Sequence, residues 1–133
     1  MEKLMNVILS IKPQFAYKIL SGKKRYEYRK AVFRRPVNRV FIYASSPVCK
    51  IVGEFTIHDL ISGSPRFIWS ETKEYAGIEA TYFEKYFAGK DTAYALCISS
   101  YKKYDKPIDP KQKIPGFRAP QSFCYVNTLN KEQ

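Results

Sequence analysis

Ser10 to Lys30 reads SIKPQFAYKILSGKKRYEYRK, and the order of features within it decides the fold. Pro13 has the fixed φ of a first helical residue, and Phe15, Ala16, Ile19 and Leu20 recur at helical spacing. Gly22 then stands where a left-handed C-terminal cap is needed. The spacing predicts a helix of about two turns, Pro13 to Ser21. Past Gly22 the period changes to two, so that Tyr26 and Tyr28 fall on one face of a strand and Arg25, Glu27 and Arg29 on the other. A single carboxylate is thereby flanked by cations at strand spacing.

Working outward, Asn6 to Ser10 predicts a strand that carries Val7, Ile8 and Leu9. On the other side lies AVFRRPVNR, where Arg34, Arg35 and Arg39 surround Pro36; this is a basic loop or sheet edge. Val40 to Ala44 predicts a short apolar strand, Cys49 to Ile61 a long one and Ala93 to Ser99 another, with Gly53 marking a bulge or a close backbone approach. Between the last two strands, Ile68, Trp69, Thr72 and Tyr75 form one helical stripe, and Tyr82, Phe83, Tyr86 and Phe87 a second that Gly89 stops. Both stripes read as core. Glu71, Glu74, Glu79 and Glu84 make the outward faces of these helices acidic, so they are expected to turn away from a polyanion. From Tyr101 onward the chain carries four prolines and reads as an ordered connection rather than a flexible tail, held down by Phe117, Phe123, Tyr125 and Val126.

A chain of 133 residues with 45% hydrophobic composition suits one domain with one core, residues 1–133. Charge is unevenly spread along it. Residues 1–50 hold twelve Lys or Arg against two Glu, a net +10, whereas residues 51–133 hold eleven against ten, a net +1, together making the formal +11. A basic face of this kind attracts polyanions, nucleic acid foremost. Cys49, Cys97 and Cys124 are odd in number, widely spaced and set in apolar runs, the pattern of buried thiols in a reducing, cytoplasmic setting. His58 is the only histidine, so the residues suggest no metal site and no cofactor. Val7 to Leu9 is too short an apolar run for a signal peptide or a membrane span, and no oligomeric state is indicated.

Lys24, Glu27 and Arg29 carry the most chemistry. Glu27 and Arg29 are separated by roughly 7 Å along one strand face, and Lys24 sits at the turn, so all three can meet one ligand. Arg29 could clamp a phosphate or carbonyl, Glu27 accept a base or sugar hydrogen, and Lys24 neutralise or activate. The same three residues also fit a solvated salt-bridge ladder. Lys12, Lys23, Arg25, Arg34 and Arg35 complete the candidate ligand-binding set.

The motif also carries a resemblance. S-I-K-P at Ser10 to Pro13, A-x-x-I at Ala16 to Ile19, and G-x-K-x-x-E-x-R filled by Gly22, Lys24, Glu27 and Arg29 resemble the signature of the ASCH domain family, within the PUA-like superfamily. Gly77 to Ile98 and the tail from Lys106 to Val126, with KPI and then APQSFCYV, are similar to a branch of it. The resemblance implies an α+β fold, a small mixed β-pseudobarrel with short flanking helices. It implies an RNA-binding module, with single-stranded DNA an alternative ligand, or else a small hydrolase acting on RNA or on a modified nucleoside. In the acetylcytidine amidohydrolases of the superfamily the catalytic lysine matches Lys24, but the catalytic threonine position is held here by Glu27. If the chain is an enzyme, Lys24 and Glu27 are the catalytic candidates.

Overall fold

Gly22 directs the chain at its first decisive turn. In the computed structural model, which describes residues 4–127, β1 (Met5–Ile11) leads into α1 (Pro13–Leu20) with Pro13 in its first turn. Gly22 adopts φ +82°, and the amides of Lys23 and Lys24 both donate back to the Lys18 carbonyl at 3.0 and 3.1 Å. A side chain at this position would be strained by the backbone and would meet the Tyr101 hydroxyl at 2.5 Å. The cap thus folds Lys24 back beneath the helix. Ala16, Ile19 and Leu20 form the buried face of α1, and each of the two larger side chains contributes about 1.5–3 kcal/mol by leaving water.

β2 (Tyr26–Arg29), β3 (Val37–Ala44), β4 (Lys50–Gly63), β5 (Ala93–Ile108) and β6 (Phe123–Val126) join β1 in one sheet ordered β2-β5-β4-β3-β1-β6. β1 and β3 are parallel and the other neighbours antiparallel. The α+β class and the mixed sheet agree with the sequence reading. The sheet curls without closing, and β2 and β6 remain its two edges. Side chains bridge the seam instead: Arg29 on β2 donates to the Ser10 carbonyl of β1 at 3.4 Å and to the Ser122 hydroxyl, just before β6, at 2.7 Å.

Gly53 is the close approach expected of it. Ladder register shifts beside it on both neighbouring strands, and a Cβ there would lie 2.5 Å from the Lys102 carbonyl and 2.7 Å from a Leu20 methyl. β5, in contrast, runs eleven residues or so beyond the pairing with β2 and absorbs the stretch read as a proline-rich connection. Among the described residues its second half pairs with β4 alone, from Ser100 to Ile108, which leaves an edge where Pro107 forfeits no ladder bond.

The main core joins Val7, Leu9, Ile19, Val40, Ile42, Phe55 and Leu96. Phe15, on the apolar spacing of α1, and Ile98, on β5, are only half-buried against it. A second cluster gathers Tyr28, Ile68, Phe83 and Phe87 beneath α2 (Pro65–Thr72) and α3 (Ala80–Tyr86). Ser64 caps α2 by accepting from the Phe67 amide at 3.1 Å. A short α4 (Pro110–Lys113) precedes β6. Among the described residues no helix is long and apolar enough to cross a membrane.

Candidate functional site

A cavity of about 500 Å³ opens at the seam, lined by β1, α1, β2 and the segment Ala119–Gln121, with Ile78, Tyr82 and Tyr86 along one side. Lys12, Lys24, Glu27 and Arg29 all line it. Lys24 is 3% exposed. Its Nζ donates to the Ala76 carbonyl at 2.7 Å and lies 4.6 Å from the centre of the Tyr28 ring and 5.6 Å from that of Phe15. Burial disfavours its charge and lowers its pKa to about 8, although Glu27 pulls the other way; Lys18 adds to the lowering.

Gly77 makes this placement possible. At φ +71° it lets the chain turn against the lysine stem, and a Cβ there would come within 2.5 Å of the Lys24 Cβ and Cγ. The Tyr28 hydroxyl is held by Thr72 at 2.7 Å, and Phe83 meets the ring edge-on. Burial raises the Tyr28 phenol well above its ordinary value, so it stays neutral beneath the lysine.

Glu27 and Arg29 form an ion pair at 2.9 Å, with side chains only 8% and 11% exposed. Because the guanidinium also serves Ser10 and Ser122, most of its donors are committed to the fold. The solvated ladder is therefore not what these residues form. Arg29 orients Glu27 and closes the seam.

Of the remaining candidates, Lys23, Arg25, Arg34 and Arg35 lie outside the cavity lining. Lys23 is exposed beside the α1 cap. Arg25 turns outward and its guanidinium stacks 4.0 Å above the Tyr75 ring. Arg34 and Arg35 are exposed, their amides donating to the Tyr125 hydroxyl at 3.1 and 3.3 Å, and neither lines the cavity. Lys12, at the N-cap of α1, carries its Nζ to 5.9 Å from the Tyr82 ring centre.

Several lining residues escaped the sequence reading as site residues. Tyr82 and Tyr86 belonged to a stripe read as core; Phe83 and Phe87 do fill the core, while the two tyrosines a turn apart wall the cavity. The helix expected to turn away thus borders the site. Cys49 was expected to be buried, but a φ of +55° just before β4 leaves it exposed at the cavity rim, beside Tyr43. Ala119 to Gln121 lay in a tail with no periodic signal. Among the described residues no three His, Cys, Asp or Glu side chains gather as a metal site.

A buried cation, a fixed carboxylate and flat aromatic walls suit a planar polar ligand with phosphate or carbonyl oxygens.

No protein-family model matches the chain. It is 29% identical over 133 residues to an ASCH domain-containing ribonuclease of Zymomonas mobilis, covering 95% of this chain and 85% of the relative. The large ribosomal subunit protein uL22 of Ureaplasma parvum is 29% identical over 126 residues; there the match takes in 94% of this chain but only 40% of the relative's length. Among solved structures, a serine-to-alanine variant of ZmASCH from Zymomonas mobilis superposes with TM-score 0.88 at 25% identity, over 97% of this chain and 93% of that one. The N-terminal domain of Staphylothermus marinus McrB shares the fold alone, at TM-score 0.59 and 12% identity over 92% and 88% of the two chains.

Proposed function

We propose, from the premise that the chain belongs to the ASCH domain family, that it binds nucleic acid, RNA in the first place, with one nucleotide seated in the seam cavity. The observation that carries this reading is the convergence of buried Lys24 and the Glu27–Arg29 pair on a concave site walled by Phe15, Tyr82 and Tyr86. Aromatic walls stack a base, and Lys24 with Lys12 neutralises phosphate. The net +10 of residues 1–50 supplies long-range attraction for the rest of the strand. A reducing, cytoplasmic setting suits the three free thiols.

The test is titration of short RNA oligonucleotides at fixed salt. Lys24→Ala is expected to weaken binding about tenfold or more, through loss of a desolvated cation. Unchanged affinity in a folded variant would overturn the reading.

A second reading rests on one further observation. Lys24, with its pKa lowered to about 8, is neutral in part of the population near physiological pH, as a proton-transferring group should be. The relative named a ribonuclease makes RNA the substrate to try first. On this reading Lys24 and Glu27 act in hydrolysis, and RNA fragments form that Lys24→Ala abolishes. Amide hydrolysis of an acetylcytidine type is less well served, because Glu27 stands where a threonine nucleophile would.

A further inference from the structure

A second concavity of about 460 Å³ lies on the other side of Lys24, lined by Gly22, Lys24, Arg25, Tyr26, His58, Ile98, Ser99 and Tyr101. Its polar groups differ in kind from those of the seam cavity. Arg25, His58 and the hydroxyls of Tyr26, Ser99 and Tyr101 are donors, and among the described residues no carboxylate lines it.

Three features of the chain build this surface. His58 is the extra residue of a bulge in β4: Ile57 pairs with Ile98 and Asp59 with Cys97, so His58 has no partner across the ladder and is aimed outward. Gly22 lets Tyr101 lie across the α1 cap, since any Cβ there would strike its hydroxyl. Tyr101 is nonetheless 48% exposed, and Tyr75, which Arg25 covers, is 45% exposed. Arg25 is held over Tyr75 while its own backbone is pinned on both sides, the amide to the Tyr75 carbonyl and the carbonyl to the Ile98 amide, each at 3.0 Å. Further along the same side, Lys103 lies 5.7 Å from the ring centre of Tyr17, itself 40% exposed.

Exposed tyrosines alternating with cations, around a donor-lined hollow, match the requirements of a single-stranded polynucleotide: phosphates for the cations and base faces for the rings. Burial above all, with Glu71 and Glu74 adding to it, raises the Tyr26 phenol, so these two carboxylates flank the surface on the α2 side. We infer that this concavity is a second subsite, taking the phosphate and base of a neighbouring nucleotide when the seam cavity holds the first, so that the preferred ligand is a single-stranded RNA of several nucleotides rather than a free nucleotide. Lys24, which lines both hollows, is the wall between them. The inference rests on the nucleic-acid reading of the seam cavity.

The experiment compares the four nucleoside monophosphates with a random-sequence RNA of about six nucleotides, each titrated against the full chain at several salt concentrations. Arg25→Ala and Tyr101→Ala are made separately, with melting curves to confirm folding, so that loss of one variant to misfolding leaves the other. Each is expected to weaken oligonucleotide binding by about five- to tenfold and to leave monophosphate binding unchanged. Arg25→Ala should also lower the log–log salt slope by about 0.7, the share of one phosphate on a single strand. If Lys24→Ala abolishes binding while both new variants bind the oligonucleotide like the parent, the second subsite is overturned and the seam cavity stands. Should Lys24→Ala bind normally while Arg25→Ala fails, the seam reading falls and this surface is the principal site. No binding of the oligonucleotide by the parent protein overturns both.

Discussion

Arg29 Nη2 donates to Ser122 Oγ at 2.7 Å, a bond between residues 93 positions apart that ties the two edges of the open sheet together. The same guanidinium holds Glu27 at 2.9 Å. Cavity and seam are therefore one construction, and whatever loosens the seam disturbs the carboxylate inside the cavity. From the sequence, Arg29 is expected to clamp a phosphate or carbonyl of a ligand; its geometry gives most of its hydrogen-bonding capacity to the protein.

Arg29→Lys keeps the charge but not the planar fork, and a lysine cannot reach Glu27, Ser10 and Ser122 together. Stability is expected to fall by about 1–3 kcal/mol, the range for losing hydrogen bonds to a largely buried charged group. Ligand affinity should fall with it. Denaturant melts beside RNA titrations check both, and an unchanged melt would show that the seam closes without this bridge.

Gly77→Ala tests the fit between the α2–α3 connection and Lys24. The added methyl meets the lysine stem at 2.5 Å on a backbone at φ +71°, and the loss is expected at about 1–3 kcal/mol. The measurement is a denaturant midpoint, accompanied by ligand affinity as a readout of a displaced amine.

Lys24 gives stability a pH dependence whose sign is fixed. Its folded pKa, about 8, lies below the ordinary 10.5, so between those values the unfolded chain binds more protons than the native one. Stability from this residue therefore rises as pH increases from about 8 toward 10.5 and is lowest, and flat, below about 8. Lys24→Met should abolish that rise, as seen by comparing melting temperatures of both proteins at several pH values in this window. Binding that depends on the lysine charge should weaken over the same interval.

Tyr28→Phe removes the hydroxyl that meets Thr72 at 2.7 Å, yet leaves Thr72 bonded to the Ile68 carbonyl at 2.7 Å. With the threonine still satisfied, the expected cost is about 1 kcal/mol. The ring beneath Lys24 remains, so affinity for RNA should change little; equal losses in stability and affinity would mean that the phenol itself meets the ligand.

Much of this was legible in local pattern. Pro13 and Gly22 mark α1, the period-two run marks β2, and Gly53 marks a close approach, because each signal is set by backbone sterics within a few residues. The lysine, glutamate and arginine of the motif could be named for the same reason. Their partners could not, since Ser122, Gly77 and Ala76 meet them only through tertiary folding. Tyr82 and Phe83 look alike in a helical stripe, and which of them faces the core depends on how α3 is set against β2. Cys49 looked buried because its neighbours are apolar, whereas a left-handed backbone at one residue turned it to the surface.

Photo-crosslinking of a random-sequence RNA oligonucleotide, with the attachment sites mapped by mass spectrometry, tests the central claim most directly. Attachment at Phe15, Tyr82 or Tyr86, abolished by Lys24→Ala, is the expected result, because these rings wall the cavity that the lysine lies in. Attachment confined to the exposed Arg34–Arg35 loop and its Tyr125 neighbour, with the cavity rings unmodified, would contradict the account.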